Sequence, residues 1–259
     1  MIVLVLVLVC VLAALLLAGM MIIGRKRVFF GYNFGKGALF VIAHPDDEAM
    51  FLTPTILSIP DTVRNHCAVL CLTASPSVRA EELEKSCAAL GISPSRVRVV
   101  NDPERFRDGL DAEWKLPEVS KEIVSAAADF ETPILVTFDE YGISGHPNHI
   151  DTCQGAQTAL MSERKKPENM RAVKSLWAIV TYGFGFKYLA FLNAIVEAGK
   201  MVIQERTVKG VPKYVFASNP SLVSTWKAMC NHKSQFVWYR KLWCLFSSYA
   251  YINTLRREA

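Results

Sequence analysis

Three of the chain's five histidines lie in two short strings, Ala43-His44-Pro45-Asp46-Asp47-Glu48 and Gly145-His146-Pro147-Asn148-His149. Imidazole and carboxylate are the donors of a divalent metal of the zinc kind. At a catalytic site such an ion takes three protein ligands and keeps one position open for water. His44 and Asp47 are close enough in sequence to face one ion from a turn, and His149 can complete the set from the second string. Asp46 and His146 are then spare ionisable groups beside the metal, the complement that a hydrolase needs. The ion lowers the pKa of water and polarises a carbonyl. One carboxylate can take the proton, and an imidazole can stabilise the oxyanion or protonate a leaving nitrogen. The competing reading makes Asp46 or Asp47 a helix N-cap. A single string leaves that choice open, and two strings at strand ends favour the metal. His66 and His232 have no such company and are expected to be structural. Gly142-Ile143-Ser144-Gly145-His146 falls short of a nucleophile elbow, because G-x-S-x-G requires glycine where His146 stands.

Both strings need elements to hold them. Residues 38–43 form a near-continuous apolar run, as in a strand buried on both faces. Residues 67–73, 96–100, 133–138 and 176–182 repeat the pattern, and helical patterns cover 48–57, 79–90, 116–130 and 149–161. This alternation predicts an α/β fold, a Rossmann-like, mostly parallel sheet with helices on both faces. The first string then directly follows one strand and the second lies just beyond another, where open α/β sheets bind their ligands. Past residue 183 the rhythm breaks. Segments 201–206 and 213–216 around Gly210 suggest a hairpin, 220–230 suggests a helix, and 235–255 is rich in aromatic residues.

Met1 to Ile23 contains no charged, amide or hydroxyl side chain. As a helix, its 22 residues from Ile2 onward rise roughly 33 Å, enough to cross a hydrocarbon core of about 30 Å. A cleaved signal peptide normally carries its basic residues before the apolar run. Here Arg25, Lys26 and Arg27 follow it, so a single N-terminal transmembrane helix with the body in the cytoplasm is expected. Seven cysteines without a C-x-x-C pair, and no usable glycosylation sequon, agree with a reduced compartment. The chain has 259 residues, 51% hydrophobic and 20% charged, which excludes disorder. Its net charge of +5 is too mild for a nucleic-acid binder.

The two histidine strings together resemble the zinc-dependent LmbE-like de-N-acetylase family. The resemblance runs through most of residues 36–255. It includes Arg79-Ala80-Glu81-Glu82-Leu83 and the terminal stretch His232-Lys233-Ser234-Gln235…Tyr239-Arg240. It implies His44, Asp47 and His149 as zinc ligands, Asp46 as general base, His146 as electrostatic or acid partner, and Arg79 as a substrate contact. The terminal stretch and the apolar N-terminus are similar to the family's eukaryotic branch. That branch deacetylates N-acetylglucosaminyl phosphatidylinositol in GPI-anchor synthesis, on the cytoplasmic face of the endoplasmic reticulum. The resemblance thus implies a membrane glycolipid as partner and no nucleic acid. The expected organisation is an anchor at 1–23, a basic juxtamembrane segment at 24–35 and an LmbE-like catalytic domain at 36–259. Two other readings compete: a deacetylase of a soluble N-acetylglucosaminide, and an inactive membrane-bound binding protein. Residues 236–245 can be either a second interfacial contact or a core-packed helix.

Overall fold

The computed structural model describes residues 37–74, 77–190, 193, 196–197, 199–200, 213–219 and 221–258. The anchor expected at 1–23, the basic segment at 24–35 and the first arm of the hairpin, 201–206 with Gly210, lie outside them. Among the described residues no helix is long and apolar enough to cross a membrane.

Among the described residues seven strands form one sheet: β1 (Ala38–Ile42), β2 (Ala68–Cys71), β3 (Val97–Val99), β4 (Ile134–Phe138), β5 (Ser175–Ile179), β6 (Tyr214–Ser218) and β7 (Ile252–Arg257), in the order β3-β2-β1-β4-β5-β7-β6. The first five in this order run parallel, while β7 is antiparallel to both β5 and β6. Every residue of β1, β2 and β4 is buried, as their unbroken apolar runs demand of strands covered on both faces. The parallel α/β expectation holds. Of the expected hairpin only the second arm is described: 213–216 lies in and just before β6, which among the described residues pairs with β7 at the end of the aromatic-rich segment.

The main helices are α1 (Thr53–Ser58), α2 (Val78–Ala89), α3 (Leu116–Asp129), α4 (Pro147–Arg164), α5 (Phe184–Tyr188), α6 (Leu222–Asn231) and α7 (Trp238–Phe246). Helices α3 and α4 pack on each other and against the central strands, while α1 lies on β6 and β7, and α2 packs on α6. Gly155 permits the α3–α4 approach, since a Cβ there would lie 2.2 Å from Val119 Cγ1. The chain leaves β1 toward β2 and β3, then returns on the other side to β4. The topological switch point therefore lies between β1 and β4, where such sheets open a crevice at the strand carboxyl ends.

Candidate active site

The first string follows β1 at that crevice. Asp46 takes φ 121°, a region that strains a residue carrying a side chain by about 1–3 kcal/mol. Its N–H donates to Glu48 Oε2 at 3.1 Å, which holds the turn. The helix expected at 48–57 opens instead as a π-helical turn, Glu48–Leu52, before continuing as α1; such wide turns recur at functional sites. Asp47 occupies the N-cap position yet makes no capping bond. Its Oδ2 instead accepts from the N–H groups of Ala43 (3.1 Å) and His44 (2.8 Å), which turns the carboxylate back over the end of β1. The capping alternative thus fails for Asp47.

The second string reaches the same place from the end of β4. Between them the turn Gly142–Gly145 has three residues at positive φ: Gly142 (56°), Ile143 (64°) and Gly145 (75°). Asp139 braces it, accepting from Thr181 N–H at 2.6 Å and from the Thr181 hydroxyl, which in turn accepts from Ile143 N–H at 2.9 Å. His149 then projects from the first turn of α4.

Three side chains converge. His44 Nδ1 lies 3.3 Å from His149 Nε2, His149 Nε2 lies 3.3 Å from Asp47 Oδ1, and His44 Nδ1 lies 3.7 Å from Asp47 Oδ2. A tetrahedral ion with bonds of about 2.0–2.2 Å spaces its ligand atoms about 3.3–3.6 Å apart. The outer nitrogens assign the protons. His149 Nδ1 faces the Gly142 carbonyl at 3.1 Å, and His44 Nε2 faces Asn148 Oδ1 at 3.2 Å and Asp108 Oδ1 at 3.1 Å. All are acceptors, so each imidazole carries its proton outward and directs a lone pair inward, at the other's lone pair and at Asp47. Lone pairs crowded this way repel unless a cation lies among them. Ligating histidines are ordinarily oriented through an outward N–H of this kind. The residues therefore fit a divalent metal. Burial alone would lower the pKa of His44, but Asp108, Asp47 and Asp46 more than offset it, so the crevice favours positive charge. A second possible group, His44, Asp108 and His146, is more open and spends Asp108 on Arg79 Nη1 at 3.4 Å, so the buried trio is the better site.

The two spare groups flank the trio. Burial pushes the Asp46 carboxyl up to about 6, and Asp47 adds to the rise, while the Arg240 and Arg79 guanidinium groups hold it down. Arg240 Nη1 donates to Asp46 Oδ2 at 2.6 Å, and Arg79 Nη2 lies 3.7 Å from the same oxygen. Arg79 also donates to the Pro45 carbonyl at 2.9 Å, so it is a buried brace of the turn at the edge of the crevice. His146 Nδ1 accepts the Asn148 N–H at 3.2 Å, which leaves the proton of a neutral ring on Nε2. Burial, with repulsion from His44 and His149, lowers its pKa to about 4 and keeps that ring neutral. His146 and His44 meet edge to face at 4.7 Å. All of these groups line one cleft of about 310 Å³, at the lower end for small-ligand sites, together with Lys187, Tyr188 and Trp243.

Sequence reasoning missed Asp108 and Arg240. Arg240 stood inside the terminal stretch that carries the resemblance, and Asp108 sits in a loop with no periodic signal. His232, expected to be structural, is fully buried against Glu48, Nε2 to Oε1 at 2.6 Å. It thereby supports the carboxylate that holds the Asp46 turn. His66 is exposed, just before β2.

The family model PIG-L, described as GlcNAc-PI de-N-acetylase, matches residues 39–160, which contain both strings. The probable N-acetylglucosaminyl-phosphatidylinositol de-N-acetylase of Schizosaccharomyces pombe is 33% identical over 233 residues, covering 86% of this chain and 87% of that protein. The N-acetylglucosaminyl-phosphatidylinositol de-N-acetylase of Bos taurus is 32% identical over 231 residues, covering 85% and 83%. Among solved structures, the N,N'-diacetylchitobiose deacetylase of Pyrococcus horikoshii superposes with a TM-score of 0.53 at 17% identity, covering 86% of this chain and 84% of that one. That likeness is one of fold.

Proposed function

Because this chain belongs to the PIG-L family of GlcNAc-PI de-N-acetylases, we propose that it hydrolyses the acetamide of N-acetylglucosaminyl phosphatidylinositol. The products are acetate and glucosaminyl phosphatidylinositol, in GPI-anchor synthesis. One observation carries the reading: a donor trio fit for a metal, a buried carboxylate and a neutral imidazole share one cleft. His44, Asp47 and His149 would hold the ion, zinc by the chemistry of its donors. When bound it supplies Lewis acidity, activating water and polarising the acetamide carbonyl.

The remaining roles belong to side chains. Asp46 accepts the proton of the attacking water as the new C–O bond forms. Arg240 and Arg79 fix its carboxylate and keep it ionised near neutral pH. His146 Nε2–H donates to the oxygen that gains charge, a task for which a neutral ring with an outward proton is already set. As the C–N bond breaks, the proton held by Asp46 passes to the sugar nitrogen, and acetate leaves. Arg79, expected to touch substrate, contributes in this scheme through Asp46.

A glycolipid substrate accords with an anchor at Met1–Ile23 and a body on the cytoplasmic face of the endoplasmic reticulum. The test is metal analysis of the purified chain coupled to acetate release from the glycolipid. About one equivalent of zinc and release abolished by chelation and restored by zinc are expected. Release from soluble N-acetylglucosaminides but not from any phosphatidylinositol glycolipid would overturn the substrate, and a metal-free active chain would overturn the chemistry.

A further inference from the structure

Helix α7 presents its apolar side to water. At 100° per residue, Trp238, Leu242, Leu245 and Phe246 share one arc, and they are 72%, 46%, 49% and 56% exposed. The opposite arc holds Arg240, Trp243 and the buried Cys244. It is fixed to the site, since Arg240 binds Asp46 and the Trp243 indole N–H donates to the Met50 carbonyl at 3.3 Å. The inner face thus fixes α7 to the domain, and packing within the domain leaves much of each outer side chain uncovered.

A second element extends this face. Helix α5 exposes Phe184 and Phe186. It abuts α7 through a Tyr188–Trp243 ring contact at 5.8 Å, and both of those rings line the cleft. The apolar face therefore begins at the mouth of the candidate active site. No aspartate or glutamate occurs in residues 183–189 or 233–246, whereas Lys233 and Lys241 are exposed there. Aromatic and aliphatic side chains with lysines beside them suit a bilayer interface, where rings sit at headgroup depth and cations meet anionic lipid.

We infer that the outer faces of α5 and α7 form a docking surface for an anionic, phosphatidylinositol-containing bilayer, placing the cleft mouth against the headgroups. The inference rests on the glycolipid reading above. A lipid substrate need then rise only far enough for its sugar to enter the cleft, while its acyl chains stay in the membrane.

The test uses the full chain in vesicles of phosphatidylcholine with phosphatidylinositol. Tryptophan emission should be quenched by lipids brominated near the headgroup, and the quenched component should shrink in Trp238→Phe. The triple variant Trp238→Ser, Leu242→Ser, Leu245→Ser should turn over the glycolipid in vesicles about tenfold more slowly. Its rate on a short-chain, water-soluble analogue should be unchanged, which also shows that it folds. Equal vesicle rates, or no quenching, would overturn the surface. Concentration-dependent cross-linking through Leu245→Cys would overturn it as well, by assigning the face to a second copy. If the unmodified chain cleaves neither substrate, the functional reading fails, and quenching alone still decides the docking.

Discussion

Replacing Asp46 with asparagine keeps the size of the side chain and removes only its ability to take a proton. Asp46→Asn should retain stoichiometric zinc and lose activity by about 10²–10⁴-fold, the usual contribution of a general base. Loss of the metal instead would mean that Asp46 and Asp47 have exchanged roles. Arg240→Gln tests the same carboxylate from the other side. A cation beside a carboxylate favours its charged form, so removing the Arg240 cation must raise the Asp46 pKa further above its ordinary range. Only the ionised form accepts a proton, so the acid limb of the kcat profile should move to higher pH while the rate on the alkaline side changes less. A profile that falls uniformly at all pH values would assign Arg240 to substrate binding alone. At this scale the convergence of His44, Asp47 and His149 was legible, because His and Asp at strand ends have few other uses. Asp108 and Arg240 were not legible, because a lone charged residue in a loop or on a helix looks like solvated surface until the fold brings it to the crevice.

Elements hold these residues in place, and two of them can be loosened without touching the chemistry. Gly142 stands at φ 56°, and a Cβ there would lie 3.0 Å from His149 Cβ. Gly142→Ala should therefore disturb the carbonyl that orients His149 and weaken zinc binding about 10–100-fold, the usual effect of losing such a partner. Competition with a zinc-sensitive dye measures this, and unchanged affinity would separate the turn from the metal. The His232–Glu48 pair joins α6 to the Asp46 turn. Burial opposes the His232 charge, but Glu48 more than offsets it, so His232 titrates above its ordinary value. The pair's stabilisation is then complete below the unfolded pKa and is lost as pH rises through the higher folded one. His232→Gln should lower stability by about 3–5 kcal/mol, as breaking a buried pair does, and should remove this alkaline loss from thermal melts. Most elements were legible, since parallel strands read as plain apolar runs. Strand β7 was not, because Asn253, Thr254, Arg256 and Arg257 give it a polar look. Asn253 is nevertheless buried, accepting from the Thr55 hydroxyl at 2.7 Å and N–H at 3.2 Å. The π-helical turn leaves no mark in the spacing of apolar residues, so Glu48–Leu52 reads as ordinary helix.

For the whole molecule, the question is how the cleft would meet the proposed glycolipid. An anchor at Met1–Ile23 would hold the enzyme in the membrane plane at high effective concentration. It cannot by itself choose which side of the catalytic domain faces the bilayer, because one point of attachment does not fix orientation. The faces of α5 and α7 would supply that orientation. The two attachments therefore affect different quantities, and removing them separately should show it. Deleting residues 1–27 should leave zinc content and hydrolysis of the short-chain analogue intact, since the metal trio and cleft lie wholly within residues 44–243. Vesicle turnover should fall steeply, and what remains should depend on phosphatidylinositol content and salt, as a weak interfacial contact with lysines beside it would. Adding the α7 triple substitution to the deletion should then abolish co-sedimentation with vesicles. In the anchored chain the same substitution should slow turnover without releasing the protein. Equal vesicle rates with and without residues 1–27 would defeat the access argument and leave the anchor as a targeting device. Co-sedimentation of the truncated chain that survives the triple substitution would place the interfacial contact elsewhere on the domain.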